Sequence, residues 1–210
     1  MEIISVNIQK GGSGKTTSVQ AIAEILNRDY GKKILCIDLD PQCNLTTVSG
    51  IDIMQYQDNN MYTLLKEAAT LQECIVPTKY YDIIPGSILL SYAETEFNRT
   101  GKEYFLKERL SDADYDYILI DTPPALGLLN VMSLTASTKV IIPTECSYLS
   151  MIGLNQLYEL IGTVRKYSNK ELQIAGVLLI KYSPRLKLNV EVASCLLYTS
   201  PSPRDSTSSR

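Results

Sequence analysis

Apolar runs alternate with helix-period segments along the chain, the pattern of a parallel sheet with crossover helices. EIISVNI (2–8) predicts a buried first strand. KTTSVQAIAEILNRDYG (15–31) predicts a helix, with Val19, Ile22, Ala23, Ile25 and Leu26 near one face and Gly31 as its C-cap. KILCIDLD (33–40) reads as a second strand, MYTLLKEAA (61–69) as a short helix, and YDIIPG (81–86) as a short strand stopped by Pro85-Gly86. ILLSYAETEFNRTGKEYFLKERL (88–110) has a helical period broken near Gly101. YDYILIDTPP (115–124) is a strand running into a stiff loop, and KVIIPT (139–144) another strand. MIGLNQLYELIGTVRKYS (151–168) predicts a helix and LQIAGVLLIKY (172–182) a last strand. There is no internal repeat and no interdomain linker. The expected fold class is α/β, doubly wound and mostly parallel.

The final stretch differs. CLLYTSPSPRDSTSSR (195–210) is rich in Ser, Pro and Thr and has no periodicity after Tyr198. Its start, CLLYTSPSPRD, resembles a translated sequencing-library adapter. The expectation is a domain over 1–194, incomplete at its end, followed by a non-native or disordered tail over 195–210, with the natural chain continuing beyond Ser194. Setting aside Arg204, Asp205 and Arg210 moves the formal charge from −3 to −4.

Composition adds mainly exclusions. The 210 residues suit one α/β domain, and neither charge balance points to nucleic acid by itself. Histidine is absent, which removes Ser-His-Asp and Cys-His catalysis and His-ligated zinc. A proton acceptor must then be a carboxylate, a thiolate, a lysine or the substrate. The five cysteines form no C-x-x-C pair, and Cys36 falls in an apolar run as a small core residue. MEIISVNIQK has neither the basic start nor the apolar centre of a secretory signal, and no apolar run approaches the roughly 20 residues of a membrane span. A reduced, cytoplasmic setting is the default.

The chemistry concentrates in three pieces. QKGGSGKTTS (9–18) lies between a strand and a helix and contains Gly14-Lys15-Thr16, the second half of the common phosphate-loop pattern G-x-x-x-x-G-K-[ST]. The pattern's first glycine would fall at Gln9, so the match is imperfect. The physics of the loop still holds. Gly11, Gly12 and Gly14 let backbone N–H groups approach phosphate oxygens, and the helix start adds positive potential. Ser13 and Thr17 complete the loop, Lys15 reaches the β- and γ-phosphates, and the Thr16 hydroxyl binds Mg2+. DLDPQ (38–42) places Asp38 and Asp40 at a strand's carboxyl end, where open α/β sheets bind ligands. Asp38 is a candidate for the metal and Asp40 for orienting the attacking water. Asp121 closes YDYILID like a Walker B aspartate and is a second metal candidate, followed by the rigid Thr122-Pro123-Pro124.

A second lysine, Lys10, stands inside the turn. QKGGSGKTT, DLDPQCNLTT, YDYILIDTPP, KVIIPT followed by MIGLNQL, and GVLLIKYSPRLKLNVEV, similar to a late strand and the helix after it, together resemble the deviant Walker A ATPases of the ParA/MinD class of P-loop NTPases (SIMIBI type). Within that class the DPQ-x-N-x-T piece resembles the ParA (Soj-like) partition proteins. The resemblance runs from about residue 2 to 194. It implies ATP and Mg2+ as cofactors, an ATP-dependent homodimer, ATP hydrolysis, non-specific DNA binding and a stimulating centromere-binding ParB-like partner. It also implies a cytoplasmic, nucleoid-associated protein without stable membrane insertion. In this class the early lysine, here Lys10, reaches across the dimer to the partner's ATP and stabilises charge on the transferring phosphoryl group, while Asp40 positions water. Ile8 replaces the usual Asn before Gln-Lys, and Cys43 the usual Gly of DPQGN. Lys181, Arg185 and Lys187 form a local basic cluster that reads either as part of a DNA-facing patch or as a solvated helix start.

Three other readings stand beside this one. A MinD-like, membrane-cycling ATPase would need a terminal amphipathic helix. An iron–sulfur carrier of the same fold would need cluster-spaced cysteines, a spacing that Cys43, Cys74 and Cys146 lack. A non-catalytic nucleotide-binding scaffold would release no phosphate.

Overall fold

The structure, a computed structural model, describes residues 1–97, 100–187, 189–192 and 194; the expectation for the 195–210 tail lies outside the described residues. Its centre is a seven-stranded sheet in the order β3-β4-β2-β5-β1-β6-β7. These strands are β1 (Glu2–Val6), β2 (Ile34–Asp38), β3 (Val76–Pro77), β4 (Asp82–Ile84), β5 (Tyr117–Asp121), β6 (Lys139–Glu145) and β7 (Gln173–Ile180). Every pairing is parallel except that of β3 with β4.

The continuous apolar runs arise because the central strands are covered on both faces. Along β2, Leu35 and Ile37 point into one cluster, while Ile34 and Cys36 point into the opposite one. β5 repeats this, with Ile118 and Ile120 against Leu119. On one face lie α3 (Met61–Leu65), α6 (Phe105–Arg109) and α7 (Leu128–Ala136). The other face takes α1 (Lys15–Tyr30), through Val19 and Ala23, and α2 (Asn44–Val48), through Leu45. A third cluster joins Val140 and Ile142 of β6 to Leu154, Leu157, Ile161 and Val164 of α8 (Tyr148–Tyr167). The doubly wound, mostly parallel fold expected from the pattern is therefore present.

Some expectations change. Ile25 is 44% exposed. It lies six residues after Val19, and at about 100° per residue that turns it off the buried stripe. The 88–110 stretch is not one helix. It divides into a 3-10 turn (Ile88–Tyr92), α5 (Ala93–Glu96), a second 3-10 turn (Lys102–Tyr104) and α6, with Gly101 left-handed at φ 80. α2, α4 (Leu71–Cys74), β3 and α7 were not anticipated. α7, LLNVMSLTA, is a nine-residue, mostly apolar run buried along almost its whole length, its polar Asn130, Ser133 and Thr135 included, and such a short run reads as strand or helix alike. Residues 98 and 99 lie outside the described residues.

Candidate phosphate and metal site

The carboxyl ends of β1, β2 and β5 meet in one cleft of about 670 Å³, lined by Gly11 to Ser18, Asp40, Gln42, Asn44, Pro124, Ile180 and Lys181 among others. The phosphate loop shapes its floor. Gly14 caps α1 in the left-handed region at φ 73, a conformation that costs a side chain about 1–2 kcal/mol. A Cβ there would also lie 3.1 Å from the Ile180 side chain. No side chain caps the first turn of α1, which leaves its N–H groups for an anion. Within the loop, the Ser13 hydroxyl and the Lys15 ammonium donate to the Lys10 carbonyl at 2.9 and 3.2 Å. Lys15 is 7% exposed; burial lowers its pKa, and the charges of Asp121 and Asp40 oppose that shift.

Parallel register sets Asp38 directly beside Asp121. The two carboxylates differ in what they hold. Asp38 is fully buried; its Oδ2 accepts from the Thr46 N–H at 2.8 Å and the Thr46 hydroxyl at 2.7 Å, and its Oδ1 accepts from the Asp40 N–H at 3.3 Å. The Thr46 oxygen in turn accepts from the Gly86 N–H at 2.8 Å. Asp121 is equally buried, yet only its Oδ2 has a partner, the Thr16 hydroxyl at 2.6 Å. Its Oδ1 is buried with no hydrogen-bond partner among the described residues. Burial raises both pKa values, that of Asp38 to about 6 against the pull of Thr46, and that of Asp121 to about 7 against the Thr16 bond.

A magnesium ion fits Thr16 and Asp121: a hydroxyl and a carboxylate are in contact, and one buried carboxylate oxygen is free. Among the described residues, no three Asp, Glu, Cys or His side chains converge to hold an ion by themselves. This suits an ion that takes its remaining ligands from phosphate and water. Asp38, the other metal candidate, accepts three hydrogen bonds from Thr46 and Asp40. Asp40 is 7% exposed on the cleft wall, its Oδ1 accepting from the Gln42 N–H at 3.0 Å. Loop 122–125 is pinned from two sides. The Thr122 hydroxyl donates to the Val6 carbonyl at 2.8 Å, and the Asn130 amide of α7 donates to the Pro123 carbonyl at 3.3 Å and to that of Ala125.

Lys10 does not line the cleft; its ammonium pairs with the Glu145 carboxylate and lies 3.4 Å from the Ser150 hydroxyl. The two departures in the motifs have structural counterparts. Ile8 is fully buried in the cluster of β6 and α8. Cys43 caps α2 in the left-handed region at φ 52, the conformation for which a glycine would be suited. Lys181 pairs with Glu145, while Arg185 and Lys187 are exposed. Thr46, Asn130 and Glu145 were not picked out from the sequence. Thr46 lies within DLDPQCNLTT without a charged group to mark it, Asn130 bonds the loop five and seven residues before it, and Glu145 acts on Lys10, 135 positions away.

Residues 1–174 match the protein family described as AAA domain. The sporulation initiation inhibitor protein Soj of Bacillus subtilis is 39% identical over 196 residues, covering 91% of this chain and 77% of Soj. The chromosome partitioning protein ParA of Myxococcus xanthus is 36% identical over 198 residues, 90% of this chain and 68% of that protein. Among solved structures, a plasmid partition protein from Borrelia burgdorferi superposes with a TM-score of 0.84 at 27% identity, covering 95% of this chain and 86% of that one. The cobyrinic acid a,c-diamide synthase of Mycobacterium smegmatis, solved with an ATP analog and magnesium, gives a TM-score of 0.89 at 32% identity, covering 97% and 84%.

Proposed function

The chain belongs to the AAA domain family that includes Soj and ParA, the ParA-like partition ATPases, and from that premise we propose that it binds MgATP in the cleft, dimerises on it and hydrolyses it. The observation that carries this reading is the Thr16–Asp121 contact beside Lys15, with one oxygen of Asp121 buried and free. The backbone of Gly11 to Gly14 and the start of α1 take up phosphate oxygens, and Ser13 and Thr17 flank them. Lys15 neutralises the β- and γ-phosphates. Thr16 and Asp121 hold Mg2+, which when bound neutralises charge shared between those phosphates. Asp40 orients the attacking water from the cleft wall. Asp38 serves at one remove, fixing Thr46 and the Asp40 backbone. Lys10 crosses to the nucleotide of a second subunit and stabilises the transferring phosphoryl group, which makes hydrolysis depend on dimerisation.

We further propose non-specific DNA binding, a centromere-binding ParB-like stimulator, and a cytoplasmic, nucleoid-associated location. Among the described residues, no helix is long and apolar enough to cross a membrane. The reaction named for the cobyrinic acid structure is not carried over, because the Soj and ParA relatives are more similar in sequence. Phosphate release with and without DNA tests the proposal: wild-type chain should turn over ATP, Lys15→Ala should not bind it, and Lys10→Ala should bind without hydrolysing. Normal turnover in Lys10→Ala would remove the crossing lysine from the mechanism.

A further inference from the structure

One carboxylate, that of Glu145, holds two lysines from two other loops. Its Oε2 takes the Lys10 ammonium, and its Oε1 takes that of Lys181 at 2.5 Å. Lys10 belongs to the phosphate loop, Glu145 closes β6, and Lys181 directly follows β7. Register explains the meeting: Glu145 lies opposite Ile180, so the next residue falls beside it. Lys181 reaches this place in a left-handed conformation at φ 52, which side chains rarely adopt. α8 supports the other side. At Gly153 a Cβ would come within 2.9 Å of the Gln9 carbonyl oxygen, so glycine lets α8 sit against the phosphate loop. That approach sets the Ser150 hydroxyl 3.4 Å from the Lys10 ammonium. The two lysines hold the Glu145 carboxyl well below its ordinary range, Lys10 more than Lys181, to about 2.

The arrangement is asymmetric in exposure. The Lys10 and Glu145 side chains are 29% and 19% exposed, whereas Lys181 is 70% exposed and rims the phosphate cleft. A lysine held by one carboxylate alone would, on leaving, deprive that carboxylate of its cation. A carboxylate with two cations can release one and stay paired.

We propose that Glu145 is a positioning residue that holds Lys10 within its own subunit, and that Lys181 keeps the Glu145 carboxylate paired when Lys10 leaves for a phosphate. This rests on the nucleotide reading given above. It makes release of Lys10 from Glu145 a step on the way to the hydrolytic dimer.

Lysine acylation by acetic anhydride at fixed pH, read residue by residue by peptide mass spectrometry on the nucleotide-free full chain, tests it. In Glu145→Gln the labelling of Lys10 should rise by up to about fivefold, the upper end for loss of one part-exposed charge pair. Glu145→Asp should return it towards the wild-type level. In Lys181→Gln, where Lys10 no longer shares its partner, labelling of Lys10 should fall below wild type. Equal Lys10 labelling in wild type and Glu145→Gln overturns the proposal, and so does a rise in Lys181→Gln. The nucleotide reading has its own readout in the same experiment, protection of Lys15 by MgATP in the wild-type chain. Protected Lys15 with unresponsive Lys10 removes only the Glu145 role, and unprotected Lys15 removes the nucleotide reading itself.

Discussion

The ends of β2 and β5 lie side by side and finish on the same residue type, yet they are built for different work. Asp38 is surrounded by donors: two from Thr46 and one from the Asp40 backbone. Asp121 has one donor, Thr16, and one buried oxygen with none. Both are fully buried, so burial does not separate them. Occupancy of the oxygens does. A saturated buried carboxylate fixes the chain around it, while a half-satisfied one is available to a ligand that brings its own charge.

The largest expected effect is on stability at the saturated end. Asp38→Ala removes the acceptor of three donors, the Thr46 N–H and hydroxyl on α2 and the Asp40 N–H. Leaving buried donors unmet costs about 1–3 kcal/mol each before relaxation, so a net loss of about 3 kcal/mol is expected in urea denaturation. Asp121→Ala should cost clearly less, because one hydrogen bond goes and a poorly satisfied buried carboxylate goes with it. Equal losses in the two variants would break the contrast.

Next comes metal dependence at the half-satisfied end. Asp121→Asn keeps the shape and the contact with Thr16 but removes the charge. The magnesium concentration needed for half-maximal ATP binding should rise about 10- to 100-fold, the range seen when groups supporting a metal are lost. Asp38→Asn should move that concentration much less. A larger shift for Asp38→Asn would return Asp38 to the metal, where the sequence had placed it.

The sequence made most of this region legible. The order strand, glycines, Lys15, Thr16, helix needs only local spacing, and the apolar runs of β2 and β5 announce strands covered on both faces. What it left hidden depends on contacts between distant residues. DLD and YILID each display an aspartate at a strand end, and nothing in either string says that Thr46 saturates one and Thr16 half-fills the other. The Glu145–Lys10 pair spans 135 positions and has no local signature. α7 escaped for another reason: it is nine residues long and mostly apolar, and a short apolar run does not separate a buried helix from a buried strand. At 88–110 a helical period did not overcome the left-handed Gly101 and the short capped turns before it.

The third test is pH. Both carboxyls have folded-state pKa values raised above 3.8, to about 6 for Asp38 and about 7 for Asp121. A raised value means that the folded chain holds protons more tightly than the unfolded one. Their contribution to stability is therefore fully present below about pH 4. It is lost as pH rises through those two values. The metal- and nucleotide-free chain should accordingly lose stability between about pH 4 and 7 in this contribution. In Asp121→Asn the part of that loss above about pH 6 should disappear, leaving a decline that begins near pH 4 and ends near the lower value. An unchanged profile in Asp121→Asn would assign the titration elsewhere. The check is a urea midpoint measured across that pH range with both variants.

The smallest effect expected is at Cys43, the residue that leads from the β2 end into α2. Two terms compete there. The left-handed backbone at φ 52 costs a side-chain-bearing residue about 1–2 kcal/mol, and glycine escapes that cost. Glycine also gains freedom in the unfolded chain, which removes roughly 0.5–1 kcal/mol, and it gives up the buried thiol. Burial raises the pKa of that thiol to about 12, with the charges of Asp38 and Asp40 adding to the shift, so the sulfur packs as an uncharged group. Comparing Cys43→Gly with Cys43→Ala cancels most of the sulfur term, since both lose it. The left-handed strain remains in Cys43→Ala and is gone in Cys43→Gly. Cys43→Gly should therefore be the more stable of the two by about 0.5–1 kcal/mol in urea denaturation. If Cys43→Ala is the more stable, the backbone has relaxed out of the left-handed region once the thiol no longer packs beside Asp38 and Gly86. The sulfur, and not the chain, would then be what holds the turn at the saturated end of the site.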